Sequence, residues 1–148
     1  MPVRMNMSAA VAAFALLLAS PAGAQDFATD NELFAAYCAG AFRQAGEYFG
    51  TLFRDKICKP AWTGTCAEQL NNWAEVAREA DEQQRRVLAY LTARGILSTK
   101  RSVEARTGAL AAMEHGKSDT AACLINGDRA PSQCIQSQRC RDLSRLAF

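Results

Sequence analysis

The chain has 148 residues, with 17 Lys and Arg against 15 Asp and Glu, one histidine and six cysteines. That length suits a single domain. Charges this close to balance exclude the basic face that a nucleic-acid or anionic-lipid partner requires.

The N-terminal segment has the parts of an export signal. Arg4 gives a positive start, the run from Ala9 to Leu18 is apolar, and Ala22-Gly23-Ala24 is a small-x-small cleavage site. The apolar run has about half the residues a membrane-spanning helix needs. Residues 1–24 are therefore expected to be a cleaved signal peptide, leaving 25–148 as one disulfide-stabilised helical domain with no stable membrane anchor. The alanine-rich leader has a bacterial style, so the expected location is periplasmic or secreted.

The first helix is predicted to open at Thr29-Asp30-Asn31-Glu32, a capping box in which threonine and glutamate satisfy each other's backbone N–H groups. Phe34, Cys38, Ala41, Ala45, Tyr48 and Leu52 then recur at alternating spacings of four and three, the period of one helix face. Leu33, Tyr37, Phe42, Phe49 and Phe53 widen that stripe to an apolar arc of roughly 200°, against the minimum of about 100° for a single core-facing side. Such a helix either touches several neighbours or lends one flank, Phe42, Phe49 and Phe53, to a partner. Gly40, Gly46 and Gly50 interrupt it, each costing about 1 kcal/mol relative to alanine. Gly46 and Gly50, four apart, mark the expected close approach of another helix, and a homodimer is compatible with them.

A connection through Lys59-Pro60 and Gly64 leads to a second capping box, Thr65-Cys66-Ala67-Glu68. The stripe Leu70, Trp73, Ala77, Ala80, Gln84, Val87 and Leu91 predicts a helix of about 28 residues, ending at Gly95 in a left-handed cap. Asp81–Arg85 and Glu82–Arg86 are spaced for ion pairs on its outer face. A third helix is expected from Thr99 to His115, with Val103, Leu110 and Met113 inward and Gly116 as its stop. Ser118 or Asp119 would cap a short fourth helix closed by Gly127, and a last helical turn after Pro131 carries Cys134 and Cys140. The fold class is all-α: a small antiparallel helical bundle of three main helices plus short C-terminal helical segments.

Cys38, Cys58, Cys66, Cys123, Cys134 and Cys140 form an even set in an exported chain, which implies three disulfides. Six cysteines allow fifteen pairings. Helical rise separates Cys38 from Cys58 by roughly 30 Å, so these two cannot pair. Cys38 is expected to bond Cys134 or Cys140, with two bonds among the remaining four and Cys123 near Cys58 and Cys66. The C-terminal segment then crosses back over the first helix as a strap.

The residues assign no catalytic, cofactor-binding or metal site. No Cys-x-x-Cys, His-Glu-x-x-His or Gly-x-Ser-x-Gly occurs, and the one histidine leaves too few ligands for zinc. Asp81, Gln84 and Arg106 fall on inward arcs, where buried charge is costly unless paired, and mark a candidate polar pocket for a small anion. Two function classes follow. One is an exported binding or interaction protein, such as an inhibitor, an immunity-type protein or an envelope assembly factor, with another protein as its partner. The alternative is a small secreted helical enzyme acting on a small anionic substrate by positioning and electrostatics, similar to the secreted chorismate mutases in architecture alone.

Overall fold

The computed structural model describes residues 27–60, 62–125, 134 and 137–146. Four helices account for most of them: α1 (Asp30–Arg54), α2 (Cys66–Ala93), α3 (Val103–Ile125) and α4 (Ser137–Leu146), with no strand among the described residues. The leader, Gly127 and Pro131 lie outside the described residues.

Both capping boxes form. The Thr29 hydroxyl accepts from the Glu32 N–H at 3.2 Å, and the Glu32 carboxylate accepts from the Thr29 N–H at 2.9 Å. Thr65 and Glu68 repeat the exchange at 3.3 and 2.6 Å. At the end of α2 the Ile96 N–H bonds the Leu91 carbonyl and the Gly95 N–H bonds that of Thr92. Gly95 lies at φ 64°, and this pair of bonds is the Schellman closure that a left-handed glycine permits. It turns Ile96 inward, where it is fully buried. Ser102 caps α3, its hydroxyl accepting from the Ala105 N–H at 3.1 Å.

Helix α1 is the axis of the molecule. Helices α2 and α3 each pack along it and scarcely touch one another. Trp73, early in α2, meets Phe49 late in α1 with ring centroids 5.4 Å apart. Val87, Leu91 and Ile96 join Ala35, Ala36 and Ala39 at the other end, so α2 runs antiparallel to α1. Along α3, Gly108 lies by Leu33, Met113 by Gly40, and Leu124 by Tyr48, so α3 runs parallel to α1. The wide apolar arc is thus explained by a central helix with neighbours on two sides, and Arg43, Glu47 and Arg54 keep the narrow exposed strip.

The third helix departs from the sequence-based expectation. It is one element of 23 residues that passes through Gly116. There is no stop at Gly116 and no separate helix beginning at Ser118 or Asp119. A Cβ at Gly116 would collide with the backbone carbonyl of Tyr37, and one at Gly40 with that of Met113. Each glycine admits the opposing backbone, so the α1–α3 crossing requires both. The inner face of α3 is correspondingly small: Ala105, Ala109, Gly116 and Thr120, ending at Leu124. Val103 and Leu110 point outward, 63% and 54% exposed, and only Met113 of the expected trio packs against the core. Gly46 faces the Asp81 carboxylate of α2, whereas Gly50 has open space where a side chain would stand. Gly46 thus meets α2 as expected and Gly50 meets nothing, while the backbone-to-backbone approach is made by Gly40 and Gly116.

Three disulfides link Cys38–Cys140, Cys58–Cys66 and Cys123–Cys134, with Cα–Cα distances of 5.3, 5.5 and 5.4 Å. Cys38 takes one of its two expected partners. Cys123 pairs along the chain with Cys134, leaving Cys58 and Cys66 to close the α1–α2 connection. Cys134 belongs to the cluster around Phe49 and Trp73, while Cys140 belongs to the cluster around Ala35 and Leu91. The C-terminal segment therefore straps the bundle lengthwise.

A buried ion pair fastens the end at which α1 begins. Glu32, 2% exposed, receives Arg101 through Nη2 at 3.2 Å and Nη1 at 3.3 Å. The same guanidinium donates to the carbonyls of Phe27 and Arg94, at 3.0 and 3.3 Å. One side chain thereby joins the entry to α1, the end of α2 and the approach to α3. Burial pushes the Glu32 carboxyl up, but hydrogen bonds from Arg101 and Thr29, with the guanidinium charge, outweigh it and hold the carboxyl below its ordinary value.

Gly116→Ala is expected to lower stability by at least about 2 kcal/mol, because the obstructing atoms are backbone, while Gly50→Ala, in open space, raises it by up to about 1 kcal/mol. Urea unfolding of the two variants checks both signs. The depressed Glu32 carboxyl contributes stability above its unfolded value of 4.5 that is lost as pH falls through the lower folded value. Glu32→Gln should cost about 2 kcal/mol at neutral pH and flatten that acid limb, read from urea midpoints between pH 7 and about pH 3.

Candidate functional site

Because α2 and α3 pack on α1 and not on each other, a gap remains between them, bounded on its fourth side by the strap. The result is a cavity of about 90 Å³. Its wall on α1 is Ala41, Phe42, Ala45 and Phe49, with Val76 and Ala80 from α2 and Leu124 from α3. The disulfide cysteines Cys134 and Cys140 close it from the strap side. Alanines at 41, 45 and 80 leave the space, and the phenylalanines give it an aromatic wall.

Five polar side chains reach the lining: Tyr37, Glu79, Gln83, Thr120 and Arg141. The Gln83 amide is fixed by Nε2 donating to Glu79 Oε1 at 2.8 Å. Its Oε1 is buried and has no hydrogen-bond partner. The Tyr37 hydroxyl donates to Asp119 Oδ2 at 3.1 Å, and the other oxygen of Asp119 lies 3.5 Å from His115 Nε2. The imidazole meets the Tyr37 ring edge-on, with centroids 6.2 Å apart. Burial, reinforced by the Asp119 hydrogen bond and charge, pushes the Tyr37 phenol up to about 12. It stays protonated and donating throughout the neutral range.

Size decides what this cavity suits. A dry engineered cavity of about 150 Å³ admits benzene, and pockets for drug-sized molecules run to roughly 300–1,000 Å³. A volume of about 90 Å³ matches a single aliphatic group.

The residues singled out from sequence fall elsewhere. Phe42 and Phe49 do not form an exposed partner surface: they are 7% and 0% exposed, and of the three only Phe53, at 47%, is open to solvent. The physical reason is the central position of α1, which turns its flanks toward neighbours. Asp81, Gln84 and Arg106 do not line the cavity. Asp81 sits against Gly46, with Arg85 Nε bonded to its backbone carbonyl at 3.3 Å in place of the expected side-chain pair. Gln84 is partly buried on α2, and Arg106 is partly buried on α3. The Arg86–Glu82 pair does form. His115 and Asp119 lie inside α3 and bind one another and Tyr37, instead of serving a helix end and a cap. The cavity itself left one signal in the sequence, the small residues Ala41 and Ala45 beside Phe42 and Phe49.

A second ordered region flanks the site. Trp62 and Trp73 pack edge-to-face at 4.5 Å, and Tyr48 meets Phe49 the same way at 5.2 Å. Gln69, buried early in α2, accepts from the Lys59 N–H at 2.9 Å and donates to the carbonyls of Lys59, Trp62 and Gly64. The Lys59 ammonium bonds the Tyr48 hydroxyl and lies 5.0 Å from that ring's centroid.

Among the described residues no cluster of His, Cys, Asp and Glu could hold a metal ion, and no helix is long and apolar enough to cross a membrane. No protein-family model matches the chain, and no curated protein or solved structure is significantly similar to it.

The elevated Tyr37 phenol has a spectroscopic consequence. Ultraviolet titration of phenolate absorbance should show a component near 12 that Tyr37→Phe removes. The protonated phenol contributes stability below its unfolded value of 10.0 that is lost as pH rises toward 12, so Tyr37→Phe should also reduce the alkaline sensitivity of the thermal midpoint.

Proposed function

We propose that this chain is an exported binding protein whose cavity receives one aliphatic anchor group from a protein partner. The observation that carries this reading is the cavity between α1, α2, α3 and the strap, mostly apolar in its walls and sized for a single side chain. Interfaces concentrate their affinity in a few anchors seated in preformed, desolvated pockets. A pocket framed by disulfides is preformed, because Cys134 and Cys140 tie its strap wall to α3 and α1. The three disulfides support an oxidising, exported location, with which the signal-peptide pattern of residues 1–24 agrees.

The enzyme alternative relied on a polar pocket built from Asp81, Gln84 and Arg106. None of the three lines the cavity, and the cavity is too small to enclose a ring-sized anionic substrate. The geometry favours gripping a partner over holding a substrate.

Ala45→Leu would place an aliphatic group inside the cavity from its own wall. Affinity capture from the envelope fraction of the source cell, run in parallel with wild type and this variant, tests the reading. The expected result is a partner held by wild type and weakened at least about tenfold with Ala45→Leu, while circular dichroism shows the same helicity. Equal recovery of every partner by both proteins would contradict it.

A further inference from the structure

The three disulfides differ in their surroundings. Cys38 and Cys140 are 0% and 1% exposed, and Cys134 is 5% exposed with its partner Cys123 partly buried. Cys58 is only partly buried and Cys66 is open to solvent. Cys66 is also the first residue of α2, a helix of 28 residues. Free N–H groups in the first turn of a helix stabilise an anion and lower the pKa of a cysteine thiol placed there. The Glu68 carboxylate in the same turn opposes this in part, but it is turned onto the Thr65 N–H at 2.6 Å. Exchange is fastest where the disulfide is accessible and the departing sulfur is a stable thiolate.

The loop between the two cysteines has its own supports. Gln69 holds the backbone at Lys59, Trp62 and Gly64, and the Trp73 indole donates to the Ile57 carbonyl at 3.1 Å. The capping box at Thr65 holds the start of α2. Opening this bond therefore leaves its surroundings in place. The other two bonds tie Cys134 to α3 and Cys140 to α1.

We propose that Cys58–Cys66 is a thiol–disulfide exchange site that takes a dithiol as its partner, within a fold that the other two disulfides maintain. One thiolate of the dithiol attacks Cys58 Sγ, forming a mixed disulfide and breaking the Cys58–Cys66 bond. Cys66 departs as a thiolate at the head of α2. The second thiolate of the dithiol then attacks its own sulfur in the mixed disulfide and releases Cys58, which takes up a proton. Two electrons pass from the dithiol, now a disulfide, to the protein, now carrying two thiols. A disulfide-bearing oxidant reverses the sequence. This site is separate from the cavity and does not depend on its proposed use.

Dithiothreitol is the probe. The native protein is exposed to it at neutral pH, samples are quenched with an alkylating agent, and labelled cysteines are mapped by mass spectrometry. Cys58 and Cys66 should be labelled at least about tenfold faster than the other four, with far-UV circular dichroism unchanged during that phase. Earlier labelling of Cys123–Cys134 or Cys38–Cys140, or simultaneous opening of all three with loss of helix, would overturn the proposal. The double variant Cys58→Ser, Cys66→Ser should fold with the same helicity and lose the fast phase. Failure to fold, or a fast phase that persists, would overturn it as well.

Discussion

Backbone meets backbone where α1 crosses α3, and two glycines make that possible. Gly40 admits the carbonyl of Met113 and Gly116 admits the carbonyl of Tyr37, so the contact is reciprocal and pins the helices in one register. Shifting either helix by a residue would put a side chain where only a hydrogen fits. The cost of glycine inside a helix, about 1 kcal/mol each, is offset by the packing of Ala36, Ala39, Ala105 and Ala109 that the close approach allows. From this register follow the Tyr37–Asp119 bond, the Tyr48–Leu124 bond and the position at which α3 delivers Cys123 to the strap.

The cavity is a consequence of the same arrangement. With α3 drawn tight against one side of α1 and α2 packed by larger residues against another, the two outer helices diverge. Cys134 and Cys140, bonded to α3 and α1, line the remaining gap. A bundle whose three helices all touched one another would have filled this space. Here covalent bonds hold the wall formed by Cys134 and Cys140, which ties two of the disulfides to the shape of the cavity as well as to stability. The Glu32–Arg101 pair closes the end at which α1 begins, beyond the cluster that holds Cys38–Cys140.

Much of the architecture was legible because it rests on local chemistry. Thr29 with Glu32 and Thr65 with Glu68 announce two helix starts by spacing alone, and Gly95 announces a stop because the residues before it are periodic and those after it are not. Gly116 carries the same local signature as Gly95, yet it is a contact glycine. The difference lies in the carbonyl of Tyr37, 79 positions earlier in the chain, which no local pattern records. The outward turn of Val103 and Leu110 has the same origin: hydrophobic periodicity assigns large apolar residues to the core, whereas a close helix crossing assigns small ones. The partner surface proposed on Phe42 and Phe49 was lost for a related reason, since a wide apolar arc does not tell a central helix from one with a free flank. Arg101 gave no signal because two of its attachments, Glu32 and the Phe27 carbonyl, come from a distant segment.

Hydrogen exchange along α3 tests the central crossing most directly. A single helix pinned through Gly116 predicts slow exchange for the amides of Gly116 to Thr120, comparable to that of Met113 and the preceding turn. Fast exchange confined to residues 116–119 would mark a break between two shorter helices, and would contradict the glycine-mediated contact on which the cavity and the strap depend.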